Sequence, residues 1–136
     1  MKLSDHETRQ FAQAQERSRA HALRGALEIL KDLASSRPDS AMINATLANT
    51  LKGAGDIAPA IDHFLKAVKL APTSELYSLG LFHILWAQGR RDEAFDEMRR
   101  FMAIADSIDY RAIVAEINAK SPDDPPSPGS GWETNP

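Results

Sequence analysis

The chain of 136 residues contains no cysteine. It therefore has no disulfide framework and no thiolate metal site. A reducing compartment, the cytoplasm, is the expected setting. No apolar run approaches the ~20 residues that a membrane helix needs. The opening Met1 to Gln10 is polar throughout and lacks the apolar core of a secretory signal. A surplus of positive charge is missing too. Up to Lys120 the chain carries 16 acids and 16 bases, and the net charge of -3 comes from Asp123, Asp124 and Glu133 beyond it. A nucleic-acid binder needs a net basic face, so that class is excluded. No membrane partner is expected either.

Catalytic constellations are equally scarce. The four histidines, His6, His21, His63 and His83, form no i, i+4 pair and no zinc-protease pattern. Asp62 beside His63 is no dyad, because adjacent helix residues point in different directions. Gly53-Ala54-Gly55 lacks the third glycine and the preceding strand of a phosphate-cradling loop. It reads as a helix-turn-helix linker. We expect no enzyme, no metal and no cofactor.

What the sequence does hold is a period. Pro38 and Pro72 stand 34 apart, as do Gly55 and Gly89, and Ala26, Ala60 and Ala94 form a series at the same spacing. The local signals fit helices. Ser4 with Glu7 three places on makes a capping box. Gly53, Gly55 and Asp56 read as a helix stop, a turn and an N-cap. Pro38 and Pro72 cannot continue a preceding helix and so separate units. Asp92 and Glu93 open a helix that Arg99 and Arg100 close, in the order the helix dipole favours. Asp96 and Arg100 are expected to pair at i, i+4.

With these residues the chain resembles the tetratricopeptide repeat family, whose unit is a 34-residue helix-turn-helix. Residues 41–74 carry the pattern most fully, with Leu47, Ala48, Leu51, Gly55, Ala60, Phe64, Ala67 and Pro72. Asn44 stands where the family has Trp. Residues 75–108 keep Leu81, Leu85, Gly89 and Ala94 but place Phe82 at a small-residue position, which would splay the helix pair, and Asp106 at a proline position. Residues 7–40 keep Ala14, Ala26, Leu30 and Pro38, while Gln10, Gln13, Arg17 and His21 depart. The resemblance implies an all-α fold, a right-handed superhelical array of about three repeats. A cap helix over 109–119 follows, carrying the stripe Tyr110, Ile113, Val114 and Ile117. Residues 1–120 form the repeat domain. Residues 121–136, rich in proline and acidic, read as an extended tail in which Trp132 is a candidate anchor.

In this family the first helix of each repeat lines a concave groove. By resemblance the partner-binding positions here are Phe11, Gln15 and Arg19, then Met42, Ala45, Asn49 and Lys52, then Leu76, Leu79, His83 and Trp86. The last four recur at i, i+3, i+7 and i+10, one helical face. The same helix has a second apolar face in Tyr77, Leu81, Ile84 and Leu85. Its surplus apolar surface is left to be covered by the cap and tail or by a partner. Some family members grip a terminal carboxylate with Lys, Arg and Asn side chains. That set is not reproduced, since Phe11, Thr46, Leu76 and Gly80 occupy its places and Asn49 alone matches. The implied function is binding of a protein or peptide as an adaptor, scaffold or chaperone-like module. The alternatives are an immunity or inhibitor protein and a structural homodimer.

Overall fold

A computed structural model of the protein describes residues 2–19 and 22–119. Within them lie seven helices and no strand: α1 (Asp5–Arg19), α2 (Leu23–Ser36), α3 (Ala41–Gly53), α4 (Ile57–Leu70), α5 (Glu75–Ala87), α6 (Arg91–Met102) and α7 (Ile108–Asn118). The all-α class follows the expected plan, and α7 starts one residue before the expected cap helix. The tail lies outside the described residues. So does Trp132, and so does the side chain of Arg19.

The period of the sequence is literal in the helices. Ala41 and Glu75 open α3 and α5, and Gly53 and Ala87 close them. Ser40 and Ser74 cap the two starts, each hydroxyl accepting the backbone N–H three residues on, at 3.2 Å from Ile43 and 3.3 Å from Tyr77. Ser107 caps α7 in the same way, at 3.0 Å from the Tyr110 N–H. Each oxygen satisfies a donor that has no partner within its helix.

The turns between paired helices repeat as well. After α3, Gly55 N–H donates to the Lys52 carbonyl and Asp56 N–H to the Leu51 carbonyl. After α5, Gly89 and Arg90 make the equivalent bonds to Trp86 and Leu85. This doubled closure is a Schellman motif, which puts its glycine in the left-handed region. Gly55 has φ +86° and Gly89 φ +75°. Asp56 holds the N-cap place of α4, but its side chain makes no capping bond there.

The chain divides between Pro72 and Thr73 into two compact units. In the first, α1 packs on α2, α2 on α3 and α3 on α4. Its core is Phe11, Ala14, Leu30, Leu33, Ile43, Leu47, Leu51, Ile61 and Phe64, with Ala26 and Ala60 fully buried where helices approach closely. The first repeat is helical despite its departures. Its capping box forms in both directions, Ser4 N–H to Glu7 Oε1 at 2.9 Å and Glu7 N–H to Ser4 Oγ at 3.1 Å. Arg37 Nε then reaches both Glu7 oxygens at 3.0 Å, and its Nη2 reaches the Lys2 carbonyl. These bonds tie the start of α1 to the turn after α2.

In the second unit α5 packs on α6, and Ala94 is fully buried. Phe82 is buried and becomes the centre of an aromatic cluster. Trp86 stacks on it at 5.7 Å, and Tyr110 of α7 meets it edge-on at 5.5 Å. Phe101 completes the contact with Tyr110 at 5.9 Å. The expected Asp96–Arg100 pair does not form. Asp96 pairs with Arg99 and Glu97 with Arg100, both at i, i+3. Arg100 turns to Glu97 because that carboxylate is buried, and a buried charge needs a partner more than an exposed one does.

Candidate functional site

The expected binding positions separate by exposure. Met42 is 44% exposed on the first turn of α3, and Leu76 is 75% exposed on the first turn of α5. They stand one repeat length apart and so occupy one position of consecutive repeats. Asn49 and Lys52 are exposed on α3, while Gln15 on α1 and Leu79 and His83 on α5 are half-buried. Phe11 and Ala45 were expected on the binding face and are buried instead, at 7% and 4% exposure. Phe11 keeps one edge accessible, in a recess of about 570 Å³ between the starts of α1 and α3 that Leu3, Thr8, Asp39 and Met42 also line. Thr8 is the repeat equivalent of Met42. The first unit thus brings three large apolar side chains, Leu3, Phe11 and Met42, to one recess.

Trp86 is only half available. Its ring stacks on Phe82, meets Phe95 of α6 edge-on at 5.4 Å, and carries the Arg91 guanidinium 4.6 Å above its centroid. These contacts, with a cation over the ring face, tie much of its surface to its own unit.

Two buried polar clusters were not foreseen from the sequence. Asn44 is buried on α3 and donates through Nδ2 to the carbonyls of Ser40 at 2.9 Å and Pro38 at 3.3 Å. Its Oδ1 lies 2.9 Å from His63 Nδ1 on α4. Because carbonyl oxygens only accept, the amide nitrogen faces them and Oδ1 faces His63, whose Nδ1 then carries the proton that Oδ1 accepts. Burial, and after it Lys66, lowers the His63 pKa below 6.5; Asp62 opposes this, and Lys31 adds a smaller lowering.

The second cluster is the repeat equivalent of the first. Ser78 stands one repeat length after Asn44, and Glu97 one repeat length after His63. Ser78 Oγ donates to Glu97 Oε2 at 2.6 Å, and Tyr110 Oη lies 2.7 Å from the same Oγ. A serine hydroxyl has one proton, so Tyr110 is the donor to Ser78. Arg100 holds both Glu97 oxygens, at 2.8 and 2.6 Å. Burial raises the Tyr110 pKa well above 10. The signal for both clusters was present in the sequence. Each has a polar residue at an apolar position of the family, one repeat apart, and each is followed at the same interval by an ionisable group.

Among the described residues no three or more His, Asp or Glu side chains gather as a metal site, and no helix is long and apolar enough to cross a membrane.

By sequence, no family model and no curated relative matches the chain. Solved structures do match. The chaperone SycD of Yersinia enterocolitica, solved with a peptide of the translocator YopD, aligns at TM-score 0.71 and 13% identity, over 86% of this chain and 90% of that one. The CopN-Scc3 complex aligns at TM-score 0.73 and 10% identity, over 86% of this chain and 69% of that one. A MamA double mutant aligns at TM-score 0.68 and 18% identity, and the 73% of this chain involved spans 56% of that structure. The P58(IPK) TPR domain aligns at TM-score 0.70 and 18% identity, over 84% of this chain and 32% of that one. Paired helices in a regular period, repeated serine caps and Schellman turns, and alignment with these structures together give the chain a tetratricopeptide-repeat fold.

Proposed function

We propose that the chain is a protein-interaction module that takes a peptide or protein segment on the outward faces of its first helices. The observation that carries this reading is the pair Met42 and Leu76, large apolar side chains left exposed at one position of consecutive repeats. An isolated exposed leucine means little, but exposed apolar residues repeated in register are suited to recognition. On the first unit Gln15, Asn49 and Lys52 supply polar groups beside Met42, and on the second Leu79, His83 and Trp86 share the first helix with Leu76. The SycD structure with a YopD peptide and the CopN-Scc3 complex support a protein or peptide as the partner class. A cytoplasmic role as adaptor, scaffold or chaperone-like module accords with this reading.

The test is site-specific photo-crosslinking in the source cell from positions 42 and 76, with position 65 as the control. Leu65 is 44% exposed but lies on α4, a second helix. One shared partner from 42 and 76, absent from 65 and lost in Met42→Asp/Leu76→Asp, is the expected result. Both changes are at exposed positions, so circular dichroism should be unchanged. Crosslinks of equal strength from position 65, or retention of the partner by the double variant, would refute the assignment. Crosslinks to a second copy of the chain would turn it into a homodimer interface.

A further inference from the structure

Within the first unit, a cavity of about 320 Å³ opens between the end of α2, the turn after it, and α4. It is apart from the surface proposed above, which lies on first helices. Its wall has two characters. Ala34, Pro38 and Leu70 are apolar, whereas His63, Lys66 and Lys69 are basic or polar, and Asn44 closes the inner side. Among the described residues no carboxylate lines it. The volume stands at the lower end of the ~300–1,000 Å³ usual for small-molecule sites, and apolar walls with a few convergent polar groups are their usual composition. We propose that this cavity binds a small organic carboxylate, with its apolar body against Ala34, Pro38 and Leu70 and its charge between Lys66 and Lys69.

His63 makes the binding proton-linked. Asn44 Oδ1 fixes the ring proton on Nδ1, so neutral His63 has only a lone pair at Nε2, the nitrogen left to meet a ligand. A lone pair repels a carboxylate. Protonation puts a donor there without disturbing the Asn44 bond, since Nδ1 keeps its proton in both states. The groups acting on the ring are Lys31 from α2 and Lys66 and Asp62 from α4, with neutral Asn44 from α3. Burial first, and then Lys66 and Lys31 against Asp62, disfavour the imidazolium. A bound carboxylate offsets the lysines and favours the imidazolium, so ligand and proton enter together.

The full-length protein should be titrated with hexanoate while its NMR spectrum is followed, including the His63 ring nitrogens. Acetate and hexylammonium serve as probes of body and charge. Hexanoate is expected to shift the His63 ring and the amides of Ala34 and Lys66. Acetate should bind at least about tenfold more weakly, because each buried methylene is worth roughly 0.8 kcal/mol. Hexylammonium should not compete. Affinity should be several-fold higher at pH about 6 than at pH about 8, the interval in which a histidine changes charge. Lys66→Gln/Lys69→Gln should weaken binding about tenfold at either pH. Both lysines are exposed, so the variant keeps its fold and its circular dichroism. His63→Gln, whose amide N–H is always a donor, should bind with no pH dependence. Shifts confined to residues away from the cavity, equal binding of hexylammonium, or an unaltered affinity in the lysine variant would each overturn the proposal. A capped peptide ending in a leucine carboxylate that binds where hexanoate does not would overturn it in favour of a peptide source.

Discussion

Gly55 and Gly89 adopt a backbone conformation that an L side chain enters at a cost of roughly 1–2 kcal/mol. A Cβ added at either glycine would meet nothing within 4 Å, so the cost is conformational and not steric. Gly55→Ala should therefore lower stability by about 1–2 kcal/mol. Gly55→Asn should lower it less, because asparagine tolerates the left-handed region. Urea unfolding at constant m-value separates the two. An alanine variant as stable as the parent would show that the turn relaxes into another closure. These glycines were legible beforehand from their regular spacing, as was the Ser4–Glu7 capping box, because each is a local device. The role of Arg37 was not legible. It stands 30 residues from Glu7 in the chain and meets it only once α1 and α2 have packed.

At the level of the helix pair, each repeat in the described region after the first joins its two helices by a polar link, part-buried in one and buried in the other. The equivalent positions in the first repeat, Gln10 and Ile29, carry no such couple. In the last unit the link is a directed chain from Tyr110 through Ser78 to Glu97, with Arg100 closing it. Removing Ser78 strands the buried Tyr110 hydroxyl and takes one bond from Glu97, which Arg100 still holds, whereas removing the Tyr110 hydroxyl leaves Ser78 bonded to Glu97. Ser78→Ala should cost about 1–3 kcal/mol and Tyr110→Phe about 0.5–1.5 kcal/mol. The double variant should cost less than the sum, as expected for residues in one network. Additive losses in thermal unfolding would argue that the chain of bonds is not cooperative. The 34-residue period itself could be read from the sequence. What the period hid was the partner choice. Asp96 and Arg100 have ideal spacing on paper, but the buried Glu97 outcompetes Asp96 for Arg100. Phe11 and Ala45 likewise belong to a binding face by resemblance, yet resemblance cannot say which edge of that face the neighbouring helix covers.

For the whole molecule, three shifted groups set a pH window. His63 has its pKa lowered from 6.5, so its neutral-state contribution is present above 6.5 and is lost as pH falls below it. Glu7 is lowered from 4.5 to about 2 by Arg37 and by its bond to Ser4, so its contribution is present above 4.5 and fades as pH falls toward 2. Tyr110 is raised from 10.0 by burial, so its contribution is complete below 10 and falls as pH rises further. The urea midpoint should be flat from about pH 7 to 9, decline on both sides, and lose its first acid step in His63→Gln. A midpoint that rises between about pH 7 and 5.5 would contradict the assignment for His63. The repeat register has one more consequence, for how such a chain can change length. A tandem duplication of one whole repeat reproduces a full set of caps, Schellman glycine and buried alanine. One residue inserted within a helix turns everything after it by about 100° about the axis and carries the buried stripe toward water. Within these helices, insertions and deletions are tolerable in whole repeats and damaging in fractions of one.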